Sequence, residues 1–319
     1  MSNILYAFFK KVVIFSKGVE NMSKGKNINM FLMEGDVTSS IKCTLSNWTG
    51  VIYKIPRTKL NSELIRQRQH LKYSGIYFLI GKSDKEDKNL VYVGQAGNRK
   101  NGEALLLRLL EHTKDGKMDF FNEVIVLTTD TNIFGPTELN YLENKFAEKI
   151  KFADRYILKN QNEPNIGNVT EEKESELIEI LSNSEMIIGT LGHKLFIPTL
   201  NKDVLEEEVV EDKDLLFLSR KIRKSNLQIE AKCKRTNEGF VVLKGSMISL
   251  DDLKTMPKLI KKLCDQLIAS KIIKNGILME NQLFTSASYA AAFVLGTNAN
   301  GLTHWKTKNG QTLKELEEN

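Results

Sequence analysis

The chain has 319 residues, 46 Lys+Arg against 40 Asp+Glu, 41% hydrophobic residues, 20 Gly and 5 Pro. That is room for two or three globular domains, without the Gly, Pro or charge bias of collagen, mucin-like stalks or wholesale disorder. Cys43, Cys233 and Cys264 lie far apart with no CxxC pair, which argues against a disulfide framework or a Cys-built zinc site and for a reducing, cytoplasmic setting.

Residues 1–30 read as a disordered leader, because the apolar stretch LYAFFKKVVIFS is broken by Lys10 and Lys11 and no small-residue cleavage site follows. No run reaches the roughly 18 to 20 apolar residues of a membrane span, so no membrane partner is expected. Residues 31–72 form a β-rich extension (IKCTLSNWTGVIYKIP), with turn signals at Asn47 and Gly50 and a stop at Pro56. Within 73–166, GIYFLI and LVYVG are the strands of a hairpin around a polar loop. EALLLRLLEH is a helix with Leu105, Leu106, Leu109 and Leu110 on one stripe. EVIVLTT is a strand, and FGPTELNYLENKFAEKI is a helix opened by Pro136 and Thr137. The order β-β-α-β-α predicts an α+β unit with a mostly antiparallel sheet.

Residues 167–200 predict a helix leading into a strand, HKLFIP. The stretch 201–214, with 2 Lys+Arg against 7 Asp+Glu, reads as an acidic linker. The block 215–274 reverses that sign, with 14 against 5, and reads as a basic α+β region facing an anionic partner. Arg220, Lys221, Arg223 and Lys224 are its candidates for nucleic-acid binding. It holds a strand, GFVVLKGS, and an amphipathic helix, PKLIKKLCDQLIASKII. Residues 275–319 hold a small-residue helix, SASYAAAFVLG, and a hairpin, LTHWKTKNGQTL, with Asn309-Gly310 as a type I′ turn. Trp305 and Lys306 join the binding candidates, since an exposed Trp stacks on bases; a hairpin Trp is more often an ordinary core residue.

Three features carry chemistry. On the helix over 137–150, Leu139, Leu142, Phe146 and Ile150 form an apolar stripe, and Glu143 projects inside it. A carboxylate there costs desolvation energy unless it is hydrogen-bonded or bound to a cation. On the helix over 103–113, Arg108 and His112 stand at i and i+4 on one face. A guanidinium there suits a phosphate, and an imidazole positions water or the phosphate. Tyr77 and Tyr92 sit in the middle of neighbouring strands.

Taken together, Gly75-Ile76-Tyr77, Tyr92-Val93-Gly94, Arg108 with His112, Glu143 in YLENKF and Asn160 in LKNQNEP resemble, in order, the motifs of the GIY-YIG nuclease superfamily. Arg99 competes with Arg108, though it lacks a following His, and Asn162 and Asn165 lie close to Asn160. The wider pattern, including NWTGVIYKIPRTKL and ASYAAAFVLGTNANGLTHWK, looks like a bacterial subfamily with a C-terminal domain of unknown function. The resemblance implies Mg²⁺-dependent hydrolysis of phosphodiester bonds in DNA, with Mn²⁺ as an alternative ion and RNA as an alternative substrate. Glu143 would be the metal ligand, Tyr77 or Tyr92 would activate water together with His112, Arg108 would neutralise phosphate charge and Asn160 would hold backbone or site geometry. A nucleic-acid-binding scaffold that keeps the fold without cleavage is the alternative. Residues 71–165 carry 14 Lys+Arg and 14 Asp+Glu, so the grip on DNA is expected from outside this module.

Overall fold

The computed structural model describes residues 25–83, 88–97, 104–160, 168–198, 214–222, 227–250 and 255–318. The architecture is α+β and divides into two compact units, Met1–Phe196 and Ile197–Asn319. Residues 1–24 of the leader, 201–213 of the acidic linker, Arg99, Asn162, Asn165, Arg223 and Lys224 lie outside the described residues.

The first unit is built on a seven-stranded sheet of β1 (Ile28–Leu32), β2 (Ile41–Leu45), β3 (Gly50–Pro56), β4 (Gly75–Lys82), β5 (Asn89–Ala96), β6 (Phe121–Thr129) and β7 (Tyr156–Leu158). The strand order is β1-β2-β3-β6-β4-β5-β7, with every pairing antiparallel except β5 with β7. The N-terminal extension is therefore not set apart: β3 pairs with β6 along seven positions, and β1 starts at Ile28, inside the stretch expected to be leader. Asn47, with φ of 57°, makes the turn before β3.

Because strand side chains alternate, the sheet buries two different sets. Tyr53, Tyr77, Leu79, Val124 and Val126 face Leu60, Ile65 and Leu71 of the extension, together with Leu105 and Leu109 of a helix over Leu105–Lys114. Ile52, Ile76, Phe78, Val93 and Ile125 pack instead with Leu139, Leu142, Phe146 and Ile150 of the helix Pro136–Ala153, and with Leu177 and Leu181 of the helix Glu171–Thr190. Counting the short turn Glu63–Arg66 as α1, these helices are α2, α3 and α4. The α3 helix opens with Pro136 at its first position, where the missing N–H costs nothing.

HKLFIP is not a strand. Its residues lie in turns, and it works as an apolar plug: Leu195 is buried, and the Phe196 ring lies 6.0 Å from Phe78 and 5.5 Å from Phe146. The run was apolar because it enters the core, not because it joins a sheet.

The second unit holds a four-stranded antiparallel sheet of β8 (Leu215–Lys221), β9 (Gln228–Thr236), β10 (Gly239–Val242) and β13 (Gln282–Phe284), in the order β13-β10-β9-β8. A small hairpin, β11 (Ile273–Lys274) with β12 (Ile277–Leu278), stands beside it. The helices are α5 (Lys258–Ala269), α6 (Ala287–Leu295), α7 (Gly301–His304) and α8 (Leu313–Glu317). No boundary falls between 274 and 275, because β13 pairs with β10 and one hydrophobic core spans Leu216 to Leu313. Of the expected C-terminal hairpin, residues 302–304 lie in a helical turn, α7, while residues 305–313 do fold back on themselves, with an antiparallel bridge from Lys306 to Thr312 and a further bridge from Lys306 to Phe217. Gly310 has φ of +84° but Asn309 does not turn left-handed, so the turn is not type I′.

All three cysteines are buried free thiols. Among the described residues no helix is long and apolar enough to cross a membrane.

Candidate active site

Tyr77 and Tyr92 reach the same side of the sheet through register. Tyr77 on β4 pairs with Gly94 on β5, and Tyr92 lies two residues back from Gly94. The two rings are therefore diagonal neighbours, 6.3 Å apart. Glycine is required at 94 because a Cβ there would sit 2.4 Å from the Tyr77 ring. Gly75 has a similar reason: a Cβ would meet the Leu127 carbonyl oxygen at 2.3 Å and Leu105 of α2 at 2.9 Å. The two motif glycines thus let a buried phenol and a helix close onto the strands.

α2 lays its leucines on this face, which brings His112 with them. The Tyr77 hydroxyl lies 2.7 Å from His112 Nε2, and the two rings are 5.4 Å apart. The Tyr92 ring is 5.8 Å from the same imidazole. Tyr77 is only 1% exposed and His112 4%. Burial, followed by the Arg108 charge, pushes the His112 imidazolium down, so the ring is held neutral near pH 7. Burial, followed by Tyr92, pushes the Tyr77 phenol far above its ordinary value, although Arg108 interacts with its hydroxyl and works against the rise.

Tyr92 and Glu143 are half-buried, and the Arg108 side chain is 39% exposed. The Tyr92 phenol is raised by burial and by the charge of Glu143 and lowered by Arg108. Glu143 is raised by burial, while a hydrogen bond from Gln95 and the charge of Arg108 pull the other way. Tyr77, Tyr92 and Glu143 each feel the Arg108 charge, both phenols also feel Glu143, and His112 joins the group through Arg108 and Tyr77. Arg108 meanwhile pairs with Glu111, at 3.1 Å.

Glu143 comes from the other face of the sheet. Gln95, which follows Val91 and Val93 in the β5 alternation, donates from Nε2 to Glu143 Oε2 at 2.8 Å and to Asn140 Oδ1 at 2.6 Å. Gln95 and Asn140 were not singled out from the sequence. The available signal was Gln95 itself, a polar side chain at an apolar step of a strand and hence a counterpart to Glu143 in its helical stripe.

Asn160 holds backbone rather than reaching the cluster. Its Oδ1 accepts from Val93 N–H at 3.0 Å and its Nδ2 donates to Val93 C=O at 2.8 Å. The amide mimics one more residue of β7 against the β5 edge.

In the second unit, Arg220 and Lys221 are exposed on β8, with Arg220 Nη1 3.1 Å from His304 Nε2. Lys306 is exposed and bridges β8 through its backbone. Trp305 is not available for stacking: it is fully buried, and its indole N–H donates to the Ala287 carbonyl at 3.0 Å. A large amphipathic ring beside a small-residue helix fills the space that the alanines leave.

Residues 221–317 match a family profile described as Domain of unknown function (DUF4357). Comparison with curated proteins and with solved structures gives no match. The C-terminal part of the chain is thus similar to a domain of unknown function.

Proposed function

We propose that residues 73–166 are a GIY-YIG-type module that hydrolyses phosphodiester bonds in DNA with a bound Mg²⁺, Mn²⁺ being the alternative ion. The observation that carries this reading is the convergence of Tyr77, Tyr92, Arg108 and His112 with the half-buried Glu143. A packed sheet has no structural need for a desolvated carboxylate, a guanidinium and two phenols in one place.

Glu143 fits a hard divalent cation. Burial raises its carboxyl, which a cation would offset, and Gln95 orients one of its oxygens. Among the described residues no group of three or more His, Cys, Asp or Glu side chains could hold a metal, so a closed zinc-type cage is not the fit. Mg²⁺ keeps several waters and needs one or two carboxylates plus substrate phosphate. When bound, it supplies Lewis-acid polarisation of the phosphoryl group and acidifies coordinated water.

The remaining tasks fall to the chain. Tyr92, at the accessible front, orients the attacking water through its phenol oxygen; burial and the charge of Glu143 keep that phenol protonated, so the proton the water loses passes to solvent. Tyr77 and His112, closed off from solvent, form a hydrogen-bonded back wall that fixes the Tyr92 ring and the α2 helix. Arg108 exchanges Glu111 for the phosphate and meets charge building on its non-bridging oxygens. Asn160 keeps the β5 edge straight behind Tyr92. The exposed cations of the second unit, Arg220, Lys221 and Lys306, contribute a sequence-independent grip on the backbone.

The Arg108–Glu111 pair also favours a second reading, a nucleic-acid-binding protein that does not cleave, because it occupies the phosphate-binding group. Incubating the full chain with plasmid and structured DNA, in Mg²⁺ or EDTA, separates the two. Metal-dependent cutting that falls by a factor of about 10² or more in Glu143→Ala supports the nuclease; binding without cutting leaves the scaffold. Cutting confined to RNA would redirect the substrate assignment.

A further inference from the structure

A hollow of about 510 Å³ opens beside α2 in the first unit, lined by Arg57, Asn61, Arg66, Leu110, Thr113 and Lys114 among others. Its wall is rigid. The Arg57 guanidinium donates to the carbonyls of Asp119 and Phe121 at 2.9 and 3.1 Å, pairs with the Asp119 carboxylate at 3.0 Å and lies 4.4 Å above the Phe121 ring. That neutralises Arg57 and fixes the segment after β3 against β6.

The two other cations at the hollow are not neutralised. Arg66 donates to the backbone carbonyl and side-chain amide oxygen of Asn61, an uncharged partner. Among the described residues no carboxylate forms an ion pair with Arg66 or Lys114. The surrounding segment 57–72 holds five Lys+Arg against one Asp+Glu, so an anion is favoured there.

Position on the helix relates this hollow to the tyrosine cluster. At 100° per residue, Leu110 and Lys114 project roughly 160° and 120° away from Arg108, so the hollow lies on the opposite flank of α2. A helix with its side chains is about 10 to 12 Å across. That matches the roughly 12 Å width of the major groove of B-DNA.

We propose that this hollow binds a backbone phosphate of duplex DNA, on the strand across the groove from the phosphate at Arg108. The inference rests on the nuclease reading of the cluster and extends it: the module carries its own duplex clamp, with α2 between two phosphate contacts.

The test uses the full chain in the non-cutting Glu143→Ala background and a fluorescent duplex. Binding is measured between about 50 and 200 mM salt with and without Arg66→Glu and Lys114→Glu. Each lost phosphate contact lowers the slope of log affinity against log salt by about 0.9, and since both cations serve one phosphate the double reversal is expected to reduce it by about that amount. Arg66→Ala with Lys114→Ala is the companion variant, expected to give the same reduction with less risk to folding, and Lys82→Glu is the surface control. An unchanged slope in the alanine pair, an equal drop in Lys82→Glu, or no duplex binding by the parent protein overturns the clamp. Cleavage by the unmutated chain is scored separately, so a failed clamp beside intact cutting leaves the nuclease reading standing.

Discussion

Two tyrosine–histidine pairs stand on one face of the same sheet, in one row. Tyr53 on β3 and Tyr77 on β4 both pair across to Val126 of β6, from its two sides. Each phenol meets an imidazole, Tyr53 with His70 Nδ1 at 3.0 Å and Tyr77 with His112 Nε2 at 2.7 Å. The difference lies in what surrounds them. His70 is closed by Asp130, 3.0 Å from its Nε2, so both ring nitrogens are occupied and the chain Tyr53–His70–Asp130 ties the extension to the end of β6. Among the described residues no carboxylate is bonded to a ring nitrogen of His112; it faces Arg108 and a second phenol, with Asp115 and Glu111 acting on it through their charge alone. A Tyr–His hydrogen bond is thus not itself a sign of chemistry. What marks the second pair is unbalanced charge, including a carboxylate that burial disfavours.

The sharpest way to break this contrast is to remove one hydroxyl from each region. Tyr92→Phe is expected to slow cleavage by a factor of about 10², the scale for misplacing a reacting group. Tyr53→Phe, whose phenol is fully buried and pushed up to about 12 by burial, leaves the rate within about twofold. Equal losses in single-turnover plasmid nicking would erase the distinction.

The next effect is on stability. Gly94→Ala places a Cβ 2.4 Å from the Tyr77 ring, and the strain is expected to cost about 1 to 3 kcal/mol with a matching loss of cutting. Asp130→Asn weakens a half-exposed ion pair and costs under about 1 kcal/mol. Denaturant midpoints compare the two, and a smaller cost for Gly94→Ala would mean that the ring has room to move.

The smallest effect sharpens the role of Glu143. Its carboxyl is raised, so the native state holds the proton more tightly than the unfolded chain does. Stability from this group is full below the unfolded value and is lost as pH rises through the elevated native value. Glu143→Gln removes that loss, and its Tm at neutral pH is expected to exceed the parent's by about 1 to 2 °C while cutting disappears. In the parent chain the carboxylate is the active form, so protons compete with the metal for it: cleavage falls on acidification, and raising Mg²⁺ moves that fall to lower pH. A lower Tm for the glutamine variant would recast Glu143 as a structural hydrogen-bond acceptor for Gln95.

Local pattern made much of the first unit legible. Runs rich in β-branched and aromatic residues at 76–80 and 123–129, the leucine stripe at 105–110 and Pro136 at a helix start each reflect forces acting within a few residues. Glu143 stood out for the same reason, as a charge inside a stripe. HKLFIP was misread because an apolar run has no period that separates a strand from a core plug, and Trp305 because exposure depends on the alanine helix that covers it.

The amino-acid order alone thus determined the α+β class, the main helices and strands, and the positions at which a phenol, a guanidinium and a carboxylate interrupt apolar patterns. Tertiary structure decided that the N-terminal strands join the same sheet, that Tyr77 is sealed while Tyr92 is half-buried, and that Gln95 is the hydrogen-bond partner of Glu143. Periodicity is set by neighbours three or four residues away, whereas register and burial are set by partners dozens of residues distant, whose approach depends on loop closure and packing that no local window contains.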